Sequence, residues 1–223
     1  MEEDAIRYVR ADDGLHIAYQ VRGDGPIDLL EIGGFGALFP LDAADEQPRW
    51  RRFEDRLRRF ARVIKFDLRG IGYSDQLPHT PTVQEWAADV RRVVDEVGAQ
   101  KVHVLASSFG GFAAIEFAAT HPERVASLVL ANCAARFTVA PDYPVGMDFG
   151  QNAELSRGVD PTLSSEDTVD DIDFMAPSIA GDADVRRWWT RTAARGAGPA
   201  TAQAMWEISA VADVRDRLPL LDV

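Results

Sequence analysis

The sequence predicts an α/β protein in which a doubly wound, mostly parallel sheet carries an inserted helical cap. Short apolar runs alternate with helical patterns as far as Asn132, which is typical of a parallel sheet flanked by helices. Beyond Asn132 the alternation stops, and helical patterns stand alone around residues 184–195 and 199–211. We therefore expect a core over residues 1–132 and a helical cap over residues 133–213.

The first part of the chain predicts strands joined by a tight turn. Residues 6–10 and 16–21 alternate apolar and polar side chains on either side of Asp13-Gly14, a pair that accepts the backbone of a hairpin turn. Buried strands are predicted over residues 27–32 and 63–66, which are short and largely apolar. Between those runs, four residues recur at helical spacing and predict a helix: Trp50, Phe53, Leu57 and Phe60.

The next helix has the clearest start. Thr82 and Glu85 have the spacing of a capping box, in which each side chain accepts a hydrogen bond from a free backbone amide of the first turn. Gly98 ends an apolar stripe made of Val83, Trp86, Val90, Val93, Val94 and Val97. We then expect a strand over residues 102–106, a nearly all-apolar helix over 110–121 and a strand over 126–131.

Composition and charge exclude several classes of protein. The chain has 223 residues and a net charge of −12, and 46% of its residues are hydrophobic, which is typical of a globular domain. The acidic balance argues against binding to nucleic acid or to an anionic membrane. No apolar run approaches the roughly 20 residues of a membrane-spanning helix. The single cysteine and the acidic start, unlike a signal peptide, lead us to expect a cytoplasmic protein.

The segment that carries chemistry is residues 104–111, Val-Leu-Ala-Ser-Ser-Phe-Gly-Gly, where a predicted strand ends and a helix begins. A turn tight enough to present a nucleophile needs small residues two positions before and two positions after it. Ser108 has Ala106 and Gly110 at those positions, whereas Ser107 would be flanked by bulky residues. The spacing therefore selects Ser108 as the candidate nucleophile.

Four blocks together resemble the α/β-hydrolase fold family over essentially the whole chain. They are residues 32–35, 66–75, 104–111 and 121–125. The resemblance is greatest to hydrolase-like domains that are fused to class III adenylate or guanylate cyclases. It implies that residues 214–223 lead into a C-terminal core segment, and that the last two strands are missing from this chain.

The resemblance also implies a serine hydrolase that acts on an ester or a similar acyl bond. Ser108 would attack, and the backbone amides of Phe35 and Phe109 would form the oxyanion hole. The cap would select a small apolar or ester substrate, and neither a cofactor nor a metal is implied.

Four large side chains of the cap lie at helical spacing: Trp188, Trp189, Met205 and Trp206. They fit a cap core and the lining of an apolar substrate pocket equally well. Because ligands bind outside the carboxyl ends of strands in such sheets, we expect a tryptophan to face a cavity above Ser108.

Other motifs have simpler interpretations. The glycines at 33–36 lack the third glycine of a dinucleotide-binding loop, because that position falls on Phe39, and no P-loop lysine follows. We expect Cys133 to be a small core residue. Five aspartates are interpreted as loop-shaping or solvated residues: Asp67, Asp75, Asp170, Asp171 and Asp173.

The triad that the resemblance implies is incomplete. The family order is nucleophile, acid, histidine, and all four histidines come too early: His16, His79, His103 and His121. Each has a structural interpretation, and only His79 is kept as a candidate base. We therefore expect residues 1–223 alone to be inactive.

Two explanations stay open: a fragment of a longer protein, or a short natural relative. If the sheet ends at the strand over 126–131, that strand is an exposed apolar edge. We favour the fragment, or a chain whose edge is covered by a second copy or another partner. A second hypothesis for function is a non-catalytic ligand-binding or sensory module that keeps the hydrolase pocket.

Overall fold

Six strands form one mixed sheet in the computed structural model, which describes residues 5–33, 39–77, 79–148, 172–173 and 176–223. Their order across the sheet is β1-β2-β4-β3-β5-β6. β1 and β2 are antiparallel to their neighbours, and β3 to β6 run parallel. The strands are β1 (Arg7–Arg10), β2 (His16–Arg22), β3 (Ile27–Ile32), β4 (Ala61–Phe66), β5 (Val102–Ser107) and β6 (Val125–Ala131).

Helices flank this sheet, which confirms the predicted α/β class. They are α1 (Ala43–Glu46), α2 (Pro48–Arg58), α3 (Val83–Glu96), α4 (Gly110–Thr120), α5 (Ala183–Gly196) and α6 (Pro199–Val211), with 3₁₀ turns at Pro122–Arg124 and Arg215–Leu220. Among the described residues, no helix combines the length and the apolar character that crossing a lipid bilayer demands.

The start of α3 is the capping box that its sequence predicts. The Thr82 hydroxyl accepts a hydrogen bond from the Glu85 amide (3.1 Å), and the Glu85 carboxylate accepts one from the Thr82 amide (2.7 Å). The apolar stripe of α3 faces the main core, where it is buried together with residues of α4. The other face of α3 is turned toward solvent. Gly98 follows with a φ of +70°, the backbone that favours glycine after a helix.

The helix α2 is present as predicted, but its buried face differs from a simple apolar stripe. Phe53 and Phe60 are 46% and 50% exposed, whereas Glu54 is only 1% exposed. The Glu54 carboxylate is bonded to Lys65 of β4 and to Arg58 (2.8 Å). Ion pairing therefore lets a carboxylate occupy a position against the sheet that apolar spacing would not identify.

The inserted segment begins with an extended turn rather than a helix. Val139 and Met147 are joined by a backbone hydrogen bond of 3.2 Å, and the Met147 amide donates to Phe137 (2.7 Å). The two prolines at 141 and 144 oppose a helix here. A Cβ atom on Gly146 would lie 2.3 Å from the Thr138 backbone, so the turn is closed too tightly for a side chain. The expected helices are found later, as α5 and α6.

The strand β6 lies at the edge of the sheet that the described residues form, the position expected for it if the sheet ends there. Within the described residues it pairs with β5 alone. Val129 and Leu130 are 54% and 39% exposed, one on each face of the strand. The carboxyl-terminal half of β6 is therefore uncovered on both faces.

Candidate active site

Ser108 lies at the sharp turn between β5 and α4 and is half-buried. Its φ is +50°, a conformation that residues other than glycine rarely adopt. The Ser108 amide donates to the Ala131 carbonyl (3.2 Å) at the end of β6, and its carbonyl accepts from the Gly111 amide (3.1 Å). Hydrogen bonds on both sides of Ser108 therefore hold its backbone in this strained conformation, and strained residues of this kind cluster at functional sites.

The space around this turn explains why the residues near Ser108 must be small. A Cβ atom on Gly110 would lie 2.4 Å from the Ile32 carbonyl oxygen of β3. Gly33, which follows β3 with a φ of +75°, has a Cβ position 2.9 Å from the Ser107 carbonyl oxygen. Ala106 is completely buried. The strand ends of β3 and β5 therefore meet with no room for longer side chains.

Cys133 contacts the same turn, a position that the sequence interpretation as a core residue did not include. Its thiol donates to the Ala131 carbonyl (3.4 Å), which also accepts from Ser108. A Cβ atom on Gly111 would lie 2.7 Å from the Cys133 Cβ. Burial raises the pKa of the Cys133 thiol above its usual value, which favours the neutral thiol.

Of the two residues predicted to supply the oxyanion hole, the structure describes Phe109 only. Phe109 directly precedes α4, and its ring packs edge-on against Phe137 with the centroids 5.2 Å apart. Its amide stands at the amino end of α4, where the helix dipole favours negative charge. Phe35 lies outside the described residues. The flanking Gly33 is held against the turn that carries Ser108.

The tryptophans of α5 pack into a cluster of their own. Trp188 and Trp189 are buried against Phe39 and Trp50, in a cluster separate from the main core. The Trp188 indole donates to the Ala43 carbonyl (3.1 Å). From α6, Met205 joins the main core and Trp206 is half-buried. The structure thus places three of the four candidates in packed clusters, and their predicted contact with substrate stays a prediction.

A cavity of about 50 Å³ lies at the carboxyl ends of β3 and β4. Trp188 lines it, together with Gly33 and the polar groups of Glu31, Lys65 and Asp67. Burial raises the pKa of Asp67 to about 7, although its carboxylate accepts a hydrogen bond from the Tyr73 amide (2.8 Å). This cavity has ionisable groups among apolar walls and does not include Ser108 among its lining residues.

The predicted loop-shaping aspartates make local contacts. Asp75 accepts from the His16 amide (2.8 Å), which ties the loop after β4 to β2. Asp173 pairs with Arg186 of α5 at 2.7 Å. Asp170 and Asp171 lie outside the described residues.

A family model for the alpha/beta hydrolase fold matches residues 33–169 of the chain, which include the turn at Ser108. The chain belongs to the α/β-hydrolase fold family. The likeness to domains fused to cyclases stays a prediction.

The chain is also similar to two curated proteins and to a solved structure. The chain is 32% identical over 133 residues to 2-hydroxy-6-oxononadienedioate/2-hydroxy-6-oxononatrienedioate hydrolase 1 of Pseudomonas putida, covering 58% of this chain and 45% of that protein. It is 33% identical over 158 residues to the dihydrolipoyllysine-residue acetyltransferase component of the acetoin cleaving system of Cupriavidus necator, covering 70% and 37%. An esterase from Exiguobacterium antarcticum has the same fold, with a TM-score of 0.73 at 22% identity over 97% of this chain and 77% of that one.

The chain spans less than half the length of these two curated relatives. In α/β-hydrolases the histidine base follows the nucleophile and the acid along the chain. All four histidines of this chain are described, and each ring has a partner other than Ser108. The partners, each at 2.9 Å, are Asp75 for His16, Glu85 for His79, Ser127 for His103 and Thr120 for His121.

Proposed function

We propose that the protein is a serine hydrolase that acts on an ester or a similar acyl bond, with Ser108 as its nucleophile. The observation that carries this proposal is the backbone of Ser108, held at a φ of +50° between a strand and a helix where neighbouring residues must be small. This is the geometry of a nucleophile elbow, which exposes a serine hydroxyl above the sheet. Relatives named as a hydrolase and an esterase support the same class of reaction.

The proposed reaction proceeds through an acyl-enzyme. The Ser108 oxygen attacks the acyl carbon while a base takes the hydroxyl proton. The backbone amides of Phe109 and Phe35 stabilise the negative charge that develops on the acyl oxygen. The leaving alcohol then receives the proton as its bond to carbon breaks. Water attacks the acyl-enzyme in the second half, releasing the acid and restoring the Ser108 hydroxyl.

In this proposal, residues 1–223 supply neither the base nor the acid that orients it. The four histidine rings are engaged elsewhere, His79 at the start of α3 with Glu85. We propose that a further segment of polypeptide supplies both groups. Residues 1–223 alone should then hydrolyse esters near the background rate, because a serine hydroxyl is a weak nucleophile without a base.

A fluorophosphonate probe tests the role of Ser108 in the protein at the length its gene encodes. We expect labelling of the wild type and of Ser107→Ala, and none of Ser108→Ala. Ser107 is the matched control, since it is the adjacent residue and has the same hydroxyl. Labelling that survives Ser108→Ala would rule out the assignment.

A second candidate function is a ligand-binding or sensory module without catalysis. The observation that favours it is that no histidine ring of the chain is hydrogen-bonded to Ser108. Titration of apolar ligands, followed by tryptophan fluorescence, separates the two. Saturable binding without any fluorophosphonate labelling of the complete gene product would favour the binding module over the hydrolase.

A further inference from the structure

The outer face of α2 is basic and aromatic in a chain whose net charge is −12. Four arginines recur at spacings of three or four residues along it, so they share one side of the helix. They are Arg49, Arg52, Arg56 and Arg59, the last directly after the helix ends. We call this surface, together with Phe53 and Phe60, the arginine face.

The side chains of the arginine face are largely open to solvent. All four arginines are exposed, and the two phenylalanine side chains stand about half exposed beside them. Arg49 lies 3.6 Å from Asp182, whereas Arg52, Arg56 and Arg59 form no ion pair with any residue in the described part of the chain. The opposite side of α2 contacts the sheet through Glu54, which is bonded to Lys65 of β4.

Phenylalanine and arginine are both enriched at protein interfaces, and arginine is among the residues that contribute most to binding energy there. The arginines supply charge and directional hydrogen-bond donors, and the phenylalanines supply apolar area. From Arg49 to Phe60 the face is about 16 Å long, at 1.5 Å per residue of helix. A face of that length, only one helix wide, has the dimensions of a short polypeptide segment and is too small for a broad protein interface.

We propose that the arginine face is the docking surface for an acidic polypeptide segment of another protein, one that carries apolar side chains between its carboxylates. Its carboxylates would pair with Arg52, Arg56 and Arg59, and its apolar side chains would cover Phe53 and Phe60. The charge of the face is opposite to that of the segment, which provides both attraction and orientation.

A membrane or a nucleic acid fits the surroundings less well. A flat anionic membrane would also meet the carboxylates that flank the face, Asp55 and Asp182, whose side chains are 53% and 41% exposed. A long polyanion would likewise meet the acidic remainder of the chain, which repels it. A single narrow segment meets fewer of these carboxylates than a flat surface or a long polyanion does.

The test uses the protein at the length its gene encodes, with fluorescent probes followed by anisotropy. The probes are a peptide of alternating glutamate and leucine, an all-glutamate peptide of the same length, vesicles containing phosphatidylserine, and a single-stranded oligonucleotide. The variants are Arg52→Glu with Arg56→Glu, Phe53→Ser with Phe60→Ser, and Arg187→Glu as a charge-reversed control at an exposed position of α5. Thermal unfolding confirms that each variant is folded.

We expect the glutamate–leucine peptide to bind more tightly than the all-glutamate peptide, and added salt to weaken both. The double arginine variant should lower affinity by about tenfold or more, as for charge pairs at an interface, and Arg187→Glu should leave it unchanged. The double phenylalanine variant should remove the advantage of the glutamate–leucine peptide. No peptide binding, equal binding by the double arginine variant, or binding confined to vesicles, oligonucleotide or a second copy of the chain would overturn the proposal.

Discussion

Around Ser108, backbone atoms of neighbouring strands decide which residues are allowed. Two small residues flanking a serine could be recognised in the sequence, and they selected Ser108 over Ser107. The carbonyl of Ile32 that excludes a side chain at Gly110 could not be identified, because it comes from a strand more than seventy residues away. The contact of Cys133 with the turn was missed because Cys133 follows β6, an element separate from the turn.

Replacing Gly110 by alanine should destabilise the protein by about 2 kcal/mol, within the range for overpacking a rigid site. The added Cβ would lie 2.4 Å from the Ile32 carbonyl oxygen, which is backbone and has little freedom to move. Urea unfolding measures the change. Gly181→Ala is the control, since nothing lies within 4 Å of its Cβ position. Equal stability of the two variants would contradict the packing of the elbow described above.

Asp67 should make stability depend on pH. Burial raises the pKa of its carboxyl group to about 7, well above the value of 3.8 in an unfolded chain. Between these values the unfolded state has lost a proton that the folded state keeps, so the free energy of unfolding should fall as pH rises from about 4 to about 7. The slope from this group approaches about 1.4 kcal/mol per pH unit.

Urea unfolding of Asp67→Asn over this pH range tests the assignment. The variant should lose the fall in stability that Asp67 causes, because asparagine does not titrate. Asp55→Asn, an exposed position on α2, should keep the wild-type profile. An unchanged profile in Asp67→Asn would show that another group causes the dependence.

Features of the helices that depend on neighbouring residues of the sequence were predictable. Features that depend on contacts with distant parts of the chain were not. The capping box of α3 and the extents of α5 and α6 follow from adjacent residues. The buried side of α2 does not, because the partners of Glu54 come from other elements, such as Lys65 of β4. The early part of the insert differs from the expected helix because its prolines and Gly146 close a turn.

Glu54→Ala should destabilise the protein by about 3 kcal/mol, since removing one partner leaves buried cations without compensation. Glu54 is 1% exposed and is bonded to Lys65 and Arg58. Asp55→Ala is the matched control on the same helix, where the side chain is exposed and its loss should change stability by less than about 0.5 kcal/mol. Chemical denaturation measures both, and similar values would contradict the buried ion-pair cluster.

For the whole molecule, the order of apolar runs was enough to predict an α/β sheet, and β6 was expected at its edge only if the sheet ends there. Net charge was less informative. A total of −12 for the whole chain does not indicate that the arginines of α2 lie together on one face. The site is also predictable only in part: the elbow is local, whereas the placement of Trp188 against Phe39 and Trp50 depends on how the insert packs. The position of a base cannot be identified among histidines that all have other partners.

The rate of ester hydrolysis by the complete gene product, with Ser108→Ala beside Ser107→Ala, is the most direct test of the account. A nucleophile in an assembled triad is worth about 10⁶ in turnover, so Ser108→Ala should fall to near the background rate. Ser107→Ala should stay within about tenfold of the wild type, because its hydroxyl takes no part in the chemistry. Turnover that persists in Ser108→Ala, or an equal loss in both variants, would contradict Ser108 as the nucleophile.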